Sequence, residues 1–152
     1  MSLQDWLQIG HLTNHQATVA EVRSLLGVVD RELADAGVAG LSVDGRFTHA
    51  YDGALILCKL VLHVSGFELH KRAPGHHALW INSLEFTLGD THKETLIHLS
   101  KSSKLRHTIL YDHPGIVEKQ DADDLLEAAR QLRTDVLSWL RSQHPNLLPS
   151  GY

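Results

Sequence analysis

The sequence predicts an all-α fold, an antiparallel up-and-down bundle of four main helices with short helical pieces. Apolar residues recur at three- and four-residue steps over five segments, whereas almost no segment shows the two-residue alternation of a strand. Long periodic segments of about 20 residues, joined by loops of roughly five to ten, are typical of such bundles. The chain has 152 residues, of which 43% are apolar and 21% charged, so it is expected to form one compact domain.

The first helical segments precede a glycine-rich break. A short piece is expected around Asp5 to Leu12, where Trp6 and Ile9 are available to cover the core. The first long helix is predicted from Ala17 to Ala36, because valine and leucine repeat there at helical spacing and Gly37 follows.

Two further helices flank a predicted loop. The second long helix is expected from Asp44 to Ser65, and Gly66 supplies its stop. Residues 67–75 contain lysine, arginine, proline and glycine, which favours a connecting loop from Phe67 to Gly75. A shorter helix is predicted from His76 to Leu88.

The last two helices complete the predicted bundle. One is expected from Thr91 to Asp112, because Pro114 disfavours helical backbone at the residue before it. The other starts at Asp121, a suitable N-cap, and continues to Leu140. The remaining HPNLLPSGY is interpreted as a frayed end or a partner contact.

Composition narrows the cellular setting and the partners. A formal charge of −4 argues against broad electrostatic capture of nucleic acid. Any nucleic-acid contact would be local. The candidate patch lies in one predicted helix, although a solvated helix face is the favoured explanation of its charges: Lys93, Lys101, Lys104 and Arg106. Cys58 is the only cysteine and lies in an apolar stretch, so it is expected to be a core residue. With no signal-peptide pattern and no membrane-length apolar run, a cytoplasmic location without membrane contact is predicted.

One run, KLRHTILYDH at residues 104–113, carries the candidate chemistry. Arg106 lies on an apolar stripe, so it should point toward a neighbouring helix or a subunit interface. Arg106 and His113 are seven residues apart, which on a helix is nearly one face and about 10.5 Å of rise, and their side chains could converge on one anion. Alternatively, Arg106 pairs with Asp112 or with an acid on another helix and holds the bundle or a dimer in register.

Three stretches match motifs of a known helical family. They are RHTILYD at residues 106–112, GHH at 75–77, and RFTHAYDGALILCKLVLHVSGF at 46–67. With these motifs and the order of its helices, the segment of residues 44–140 resembles the HEPN (higher eukaryote and prokaryote nucleotide-binding) domain superfamily. The resemblance implies an all-α bundle that usually forms a homodimer, with its arginine motif near the dimer cleft.

The resemblance also implies candidate site residues. Many family members are metal-independent ribonucleases with an arginine, a polar residue after it and then a histidine, four to six residues separating the arginine from the histidine. Arg106, His107 and His113 match this pattern with six intervening residues. In such an enzyme Arg106 would stabilise charge on phosphorus, and His113 would move a proton. His107 or Tyr111 would orient the phosphate. The expected phosphate contacts are Arg106, Tyr111, Lys104 and His77.

The same residues allow a second class of function. Other members resemble the form Arg-His-x-x-x-Tyr-Asp, lack a downstream catalytic histidine and serve as binding or partner modules. The first hypothesis is therefore a HEPN-like homodimer, either a ribonuclease or a nuclease-derived binder of RNA or nucleotides. The second is a non-enzymatic helical module that binds another protein, such as a nucleotidyltransferase or a toxin–antitoxin component. Neither requires a cofactor.

Histidines and tyrosines outside this run offer weaker signals. His11 and His15 have the four-residue spacing that places two imidazoles on one helical face, but no third ligand is evident and no metal site is predicted. His76 and His77 open a helix, where they could extend a phosphate pocket or where one of them could bond a backbone carbonyl. Tyr51-Asp52 and Tyr111-Asp112 could share a polar network with Arg106.

Overall fold

The computed structural model describes all 152 residues, and the all-α class is confirmed. Six α-helices are accompanied by a two-stranded ribbon and two short 3-10 turns. The helices and strands in chain order are α1 (Leu3–Gln8), β1 (Leu12–Asn14), α2 (Val19–Ala36), α3 (Val43–Val64), β2 (Phe67–Leu69), α4 (His76–Thr87), α5 (Lys93–Tyr111) and α6 (Lys119–Gln143). None of the helices combines the length and hydropathy needed to cross a bilayer.

The four long helices, α2, α3, α5 and α6, alternate in direction along the chain, as predicted for an up-and-down bundle. Three side-chain contacts indicate their relative directions: His63 with Glu21, Arg46 with Asp123, and His92 with Asp135. The first joins the end of α3 to the start of α2, so these helices are antiparallel. The second joins the starts of α3 and α6, which are parallel. The third joins the residue before α5 to the second half of α6, so α5 and α6 are antiparallel.

Helix α3 forms the centre of the bundle. Thirteen of its 22 residues are buried, which is typical of a helix surrounded by others. Gly53 permits close packing against α2, because a Cβ at this position would lie only 2.8 Å from Leu33 Cδ2. Cys58 is fully buried, and burial raises the pKa of its thiol to about 12. It is therefore the core residue that the sequence predicts.

The ribbon corrects two sequence predictions. Helix α1 ends at Gln8, and the residues up to Asn14 include a strand instead of continuing the helix to Leu12. The expected loop after α3 begins with the other strand, and Leu12 lies opposite Leu69 in an antiparallel pair. Strands of three residues are too short to show alternation in a sequence. The ribbon packs with Trp6 and Leu62 in a small second core.

The helix boundaries differ from prediction by a few residues for local reasons. Glu118, and not Asp121, caps α6; the Asp121 carboxylate accepts a hydrogen bond of 2.9 Å from the Glu118 backbone N–H in a capping box. A 3-10 turn at Asp90–His92 occupies the expected start of α5.

The C-terminal segment packs against the bundle, which corrects its interpretation as a frayed end. Residues Pro145–Leu147 form a 3-10 turn. Beyond it, the Tyr152 hydroxyl donates a 3.1 Å hydrogen bond to Asp30 of α2, and Arg23 donates to Ser150. These contacts hold the segment along α2.

Candidate functional site

Four helices meet at a groove that contains Arg106. The groove has a volume of about 230 Å³ and is lined by Val28 and Glu32 of α2, Asp52, Leu55 and Ile56 of α3, His77 of α4, and Arg106 of α5. It therefore combines one guanidinium, one imidazole and two carboxyl groups with an aliphatic wall.

Arg106 points toward α3, as its place on the apolar stripe predicts. Its Nε lies 3.2 Å from Asp52 Oδ1, and its side chain is 25% exposed. The direction of this contact is too poor for a hydrogen bond, so the buried Nε–H has no hydrogen-bond partner. The guanidinium carbon lies 5.4 Å from the centre of the Tyr51 ring. Of the two pairings considered, the structure forms the one with an acid on another helix, whereas Asp112 is exposed.

Burial shifts the ionisation of the groups around Arg106. Burial raises the pKa of Asp52, and the neighbouring Arg106 charge offsets only part of this effect. Burial lowers the pKa of His77, and the Arg106 charge lowers it further. The Tyr51 hydroxyl lies 3.2 Å from His77 Nδ1, and burial raises the pKa of Tyr51. The groove thus favours a neutral imidazole beside the guanidinium.

The remaining residues of the arginine motif lie on a different face of α5. Lys104, His107 and Tyr111 are exposed, and their spacing places them on one helical face. The rings of His107 and Tyr111 are 4.8 Å apart, and Tyr111 is 73% exposed. The predicted tyrosine network is therefore divided: Tyr51 contacts Arg106, whereas Tyr111 contacts His107.

His113 lies beyond the last residue of α5. Its backbone N–H donates a 2.8 Å hydrogen bond to the Thr108 carbonyl, and its side chain is exposed. No hydrogen bond or ion pair joins His113 to Arg106 within the chain. The structure consequently does not bring the predicted catalytic pair into contact in one protomer.

The two adjacent histidines at the start of α4 have separate environments. His76 Nε2 lies 3.2 Å from the His70 carbonyl oxygen, whereas His77 lines the groove. Gly75 precedes them with a φ of +66°, a conformation that favours glycine. Of the two histidines, His76 is therefore the one that contacts a backbone carbonyl, and His77 is the one available to a ligand in the groove.

A second polar cluster lies at the C-terminal end of α3. Glu21 Oε2 is 2.8 Å from His15 Nε2, and Glu21 Oε1 is 2.7 Å from His63 Nδ1. His11 takes no part, because a strand separates it from His15 and the two do not share a helical face. Sequence reasoning missed Glu21 and His63. Their signal was an acid in the first turn of one helix and a histidine in the last turn of the next, which an antiparallel pair brings together.

Comparison with known proteins found no match for this chain among protein-family models, curated proteins or solved structures. The function is therefore inferred from the groove and from the residues of the arginine motif.

Proposed function

We propose that this chain is a HEPN-like helical protein that binds RNA or a nucleotide through Arg106. The observation that carries the proposal is the half-buried guanidinium, which lines a groove instead of lying sealed in the core. A guanidinium in a partly desolvated position binds phosphate strongly, because it donates several hydrogen bonds in a planar arrangement.

The composition of the groove favours a whole nucleotide over a bare phosphate. Asp52 competes with phosphate for Arg106, and Glu32 adds a second carboxyl group. Both carboxylates can instead accept hydrogen bonds from ribose hydroxyls, which distinguish RNA from DNA. Leu55 and Ile56 offer an apolar wall for the base. His77, whose burial favours the neutral form, can donate or accept one further hydrogen bond.

Metal-independent cleavage of RNA is the catalytic form of this proposal. Arg106 would stabilise the charge that gathers on phosphorus, and the exposed His113 would transfer a proton. Since His113 and Arg106 are not in contact within one chain, this chemistry requires the two residues to meet across a homodimer. Lys104, His107 and Tyr111, on the exposed face of α5, would then contact the RNA strand outside the groove.

Binding and cleavage of labelled RNA in the presence of a chelator test the proposal. Arg106→Ala should weaken binding roughly tenfold or more, as expected for a lost charge-assisted hydrogen bond. Asp52→Asn should strengthen binding, because it frees Arg106 from its carboxylate partner. Loss of cleavage in His113→Ala with binding retained would support the ribonuclease form.

Opposite effects of the two groove variants separate this proposal from a purely structural ion pair. If Arg106 and Asp52 only hold α5 against α3, both variants lower the thermal midpoint and leave RNA binding unchanged. That result, or the absence of RNA and nucleotide binding by the wild-type protein, would refute the proposal. Circular dichroism of each variant confirms that helicity is intact.

A second candidate function, a helical partner module, is favoured by exposed apolar side chains at the end of α5. Leu110, Tyr111 and Ile116 are 47%, 73% and 51% exposed. Large apolar residues so close together suit a protein interface. The occupant would be a second copy of the chain, a nucleotidyltransferase or a toxin–antitoxin component. The single buried Cys58 is compatible with either function in the cytoplasm.

A further inference from the structure

We propose that His15, Glu21 and His63 form a binding site for one Zn²⁺ ion. Each residue presents one ligand atom, and these atoms lie within 4.8 Å of one another. Two imidazoles and one carboxylate are a typical set of zinc ligands. The site lies at the end of α3 where the ribbon begins, and it shares no residue with the Arg106 groove.

The geometry suits tetrahedral coordination with little movement. Zinc bonds of about 2.0–2.2 Å separate neighbouring tetrahedral ligands by about 3.3 Å. Glu21 Oε1 lies 3.0 Å from His15 Nε2 and 2.7 Å from His63 Nδ1, so both distances need to lengthen by only a few tenths of an ångström. The two imidazole rings, with centres 4.5 Å apart, would open slightly around the ion.

Three separate elements hold the ligands in place. His15 follows β1 and its backbone N–H donates a 2.8 Å hydrogen bond to Gly66. Glu21 belongs to the first turn of α2, and His63 belongs to the last turn of α3. The C-terminal end of a helix carries partial negative charge, so α3 favours a cation at this position. The ligands are therefore placed by the ribbon and by the α2–α3 pair.

The surroundings of His15 are compatible with metal binding. Zinc-bound histidines usually donate their other ring N–H to a carboxylate, which orients the ring. His15 Nε2 faces Glu21, and its other nitrogen, Nδ1, lies 3.4 Å from Glu68 Oε2. When the ion takes Nε2, the imidazole proton is carried by Nδ1, next to Glu68.

The partial exposure of the cluster leaves room for one further ligand. With three protein ligands, the fourth position is left for water or a small ligand, and the partial exposure of His15 and Glu21 places that position toward solvent.

Titration of the tag-free, chelator-treated protein with Zn²⁺ tests the site. We expect one ion per chain and a higher thermal midpoint with zinc, since binding to the folded state stabilises it. Co²⁺ should give the intense visible absorption of tetrahedral coordination. Glu21→Gln and His15→Gln should abolish one-to-one binding, and Glu68→Gln should weaken it by about 10–100-fold.

His92→Gln is the matched control, because His92 also lies 3.0 Å from a carboxylate, that of Asp135, but has no third ligand. It should bind zinc like the wild type. Absence of one-to-one binding by the wild type, or unchanged affinity in both Glu21→Gln and His15→Gln, would overturn the proposal. These two variants replace partly exposed residues, so the test does not depend on replacing the buried His63.

Discussion

Arg106 is held by an aromatic ring on one side and a carboxylate on the other. A guanidinium near a tyrosine ring gains about 0.5–2 kcal/mol, depending on its exposure. The Asp52 carboxylate, 3.2 Å from Nε, attracts the guanidinium but does not satisfy the Nε–H, because the direction of the contact does not make a hydrogen bond. Both contacts therefore position Arg106, and a ligand can compete with Asp52 for its N–H groups.

The lowered pKa of His77 should make the free energy of unfolding depend on pH. Because its pKa is lower in the folded chain, the unfolded chain binds more protons as the pH falls below about 6.5. Its contribution to stability is therefore complete above that pH and is lost as the pH falls toward the folded-state pKa. His77→Gln should lose less unfolding free energy than the wild type between about pH 7 and about pH 5. Urea unfolding at several pH values measures this; equal losses in both proteins would contradict it.

The direction of Arg106 could be predicted from the sequence, but its partner could not. Helical spacing placed Arg106 on an apolar stripe, and the side chain does face α3. Asp52 is the partner because of how far α5 is shifted along α3. Helical spacing predicts which face of each helix is buried, but it does not predict this shift. The ribbon places His15 beside Glu21 and His63, but its strands are too short to be recognised in the sequence. A third metal ligand was therefore not evident from the sequence.

Packing between α2 and α3 depends on one glycine. Gly53 lies on the face of α3 that contacts Leu33 of α2. Here the lack of a side chain lets the helices approach closely, whereas in an exposed position glycine only weakens a helix. The helical periodicity of both segments was visible in the sequence, but this close contact depends on how the helices are paired.

Two glycine-to-alanine variants should have opposite effects. Gly53→Ala should lower the unfolding free energy by about 1 kcal/mol or more, because the added methyl group overlaps Leu33 in a packed core. Gly27→Ala is the matched control in α2: its Cβ would meet nothing within 4 Å, and it should raise stability by about 0.5–1 kcal/mol. Denaturant unfolding compares them. If Gly53→Ala stabilises the protein as much as Gly27→Ala does, α2 and α3 can move apart at Gly53 without cost, and the prediction is wrong.

At the scale of the whole molecule, the two proposed functional surfaces lie on different sides of α5. Arg106 faces the groove and the core, whereas His107 and Tyr111 face solvent beside the exposed apolar residues. A homodimer formed through the end of α5 would cover that apolar surface. It would also place the His113 of each chain near the other chain, which is the arrangement that the catalytic form of the function requires.

The oligomeric state tests this arrangement. Size-exclusion chromatography with light scattering should show a dimer for the wild type, and Leu110→Glu should shift it toward monomer because a charge is then buried in the interface. Ile97→Glu is the control, since Ile97 is 44% exposed near the other end of α5. A wild-type monomer at all accessible concentrations, or a dimer unaffected by Leu110→Glu, would contradict the prediction.

The ribbon between β1 and β2 has a consequence for the order of folding. The α2–α3 hairpin forms between segments that are adjacent in the chain, whereas pairing of Leu12 with Leu69 closes a loop that contains that whole hairpin. Closing such a loop costs more conformational entropy, so the helical contacts are expected to form first. His15 then reaches Glu21 and His63 only in the last step. An ion bound there would stabilise contacts that form only after the folding transition state. It would therefore slow unfolding of the chain without accelerating its folding.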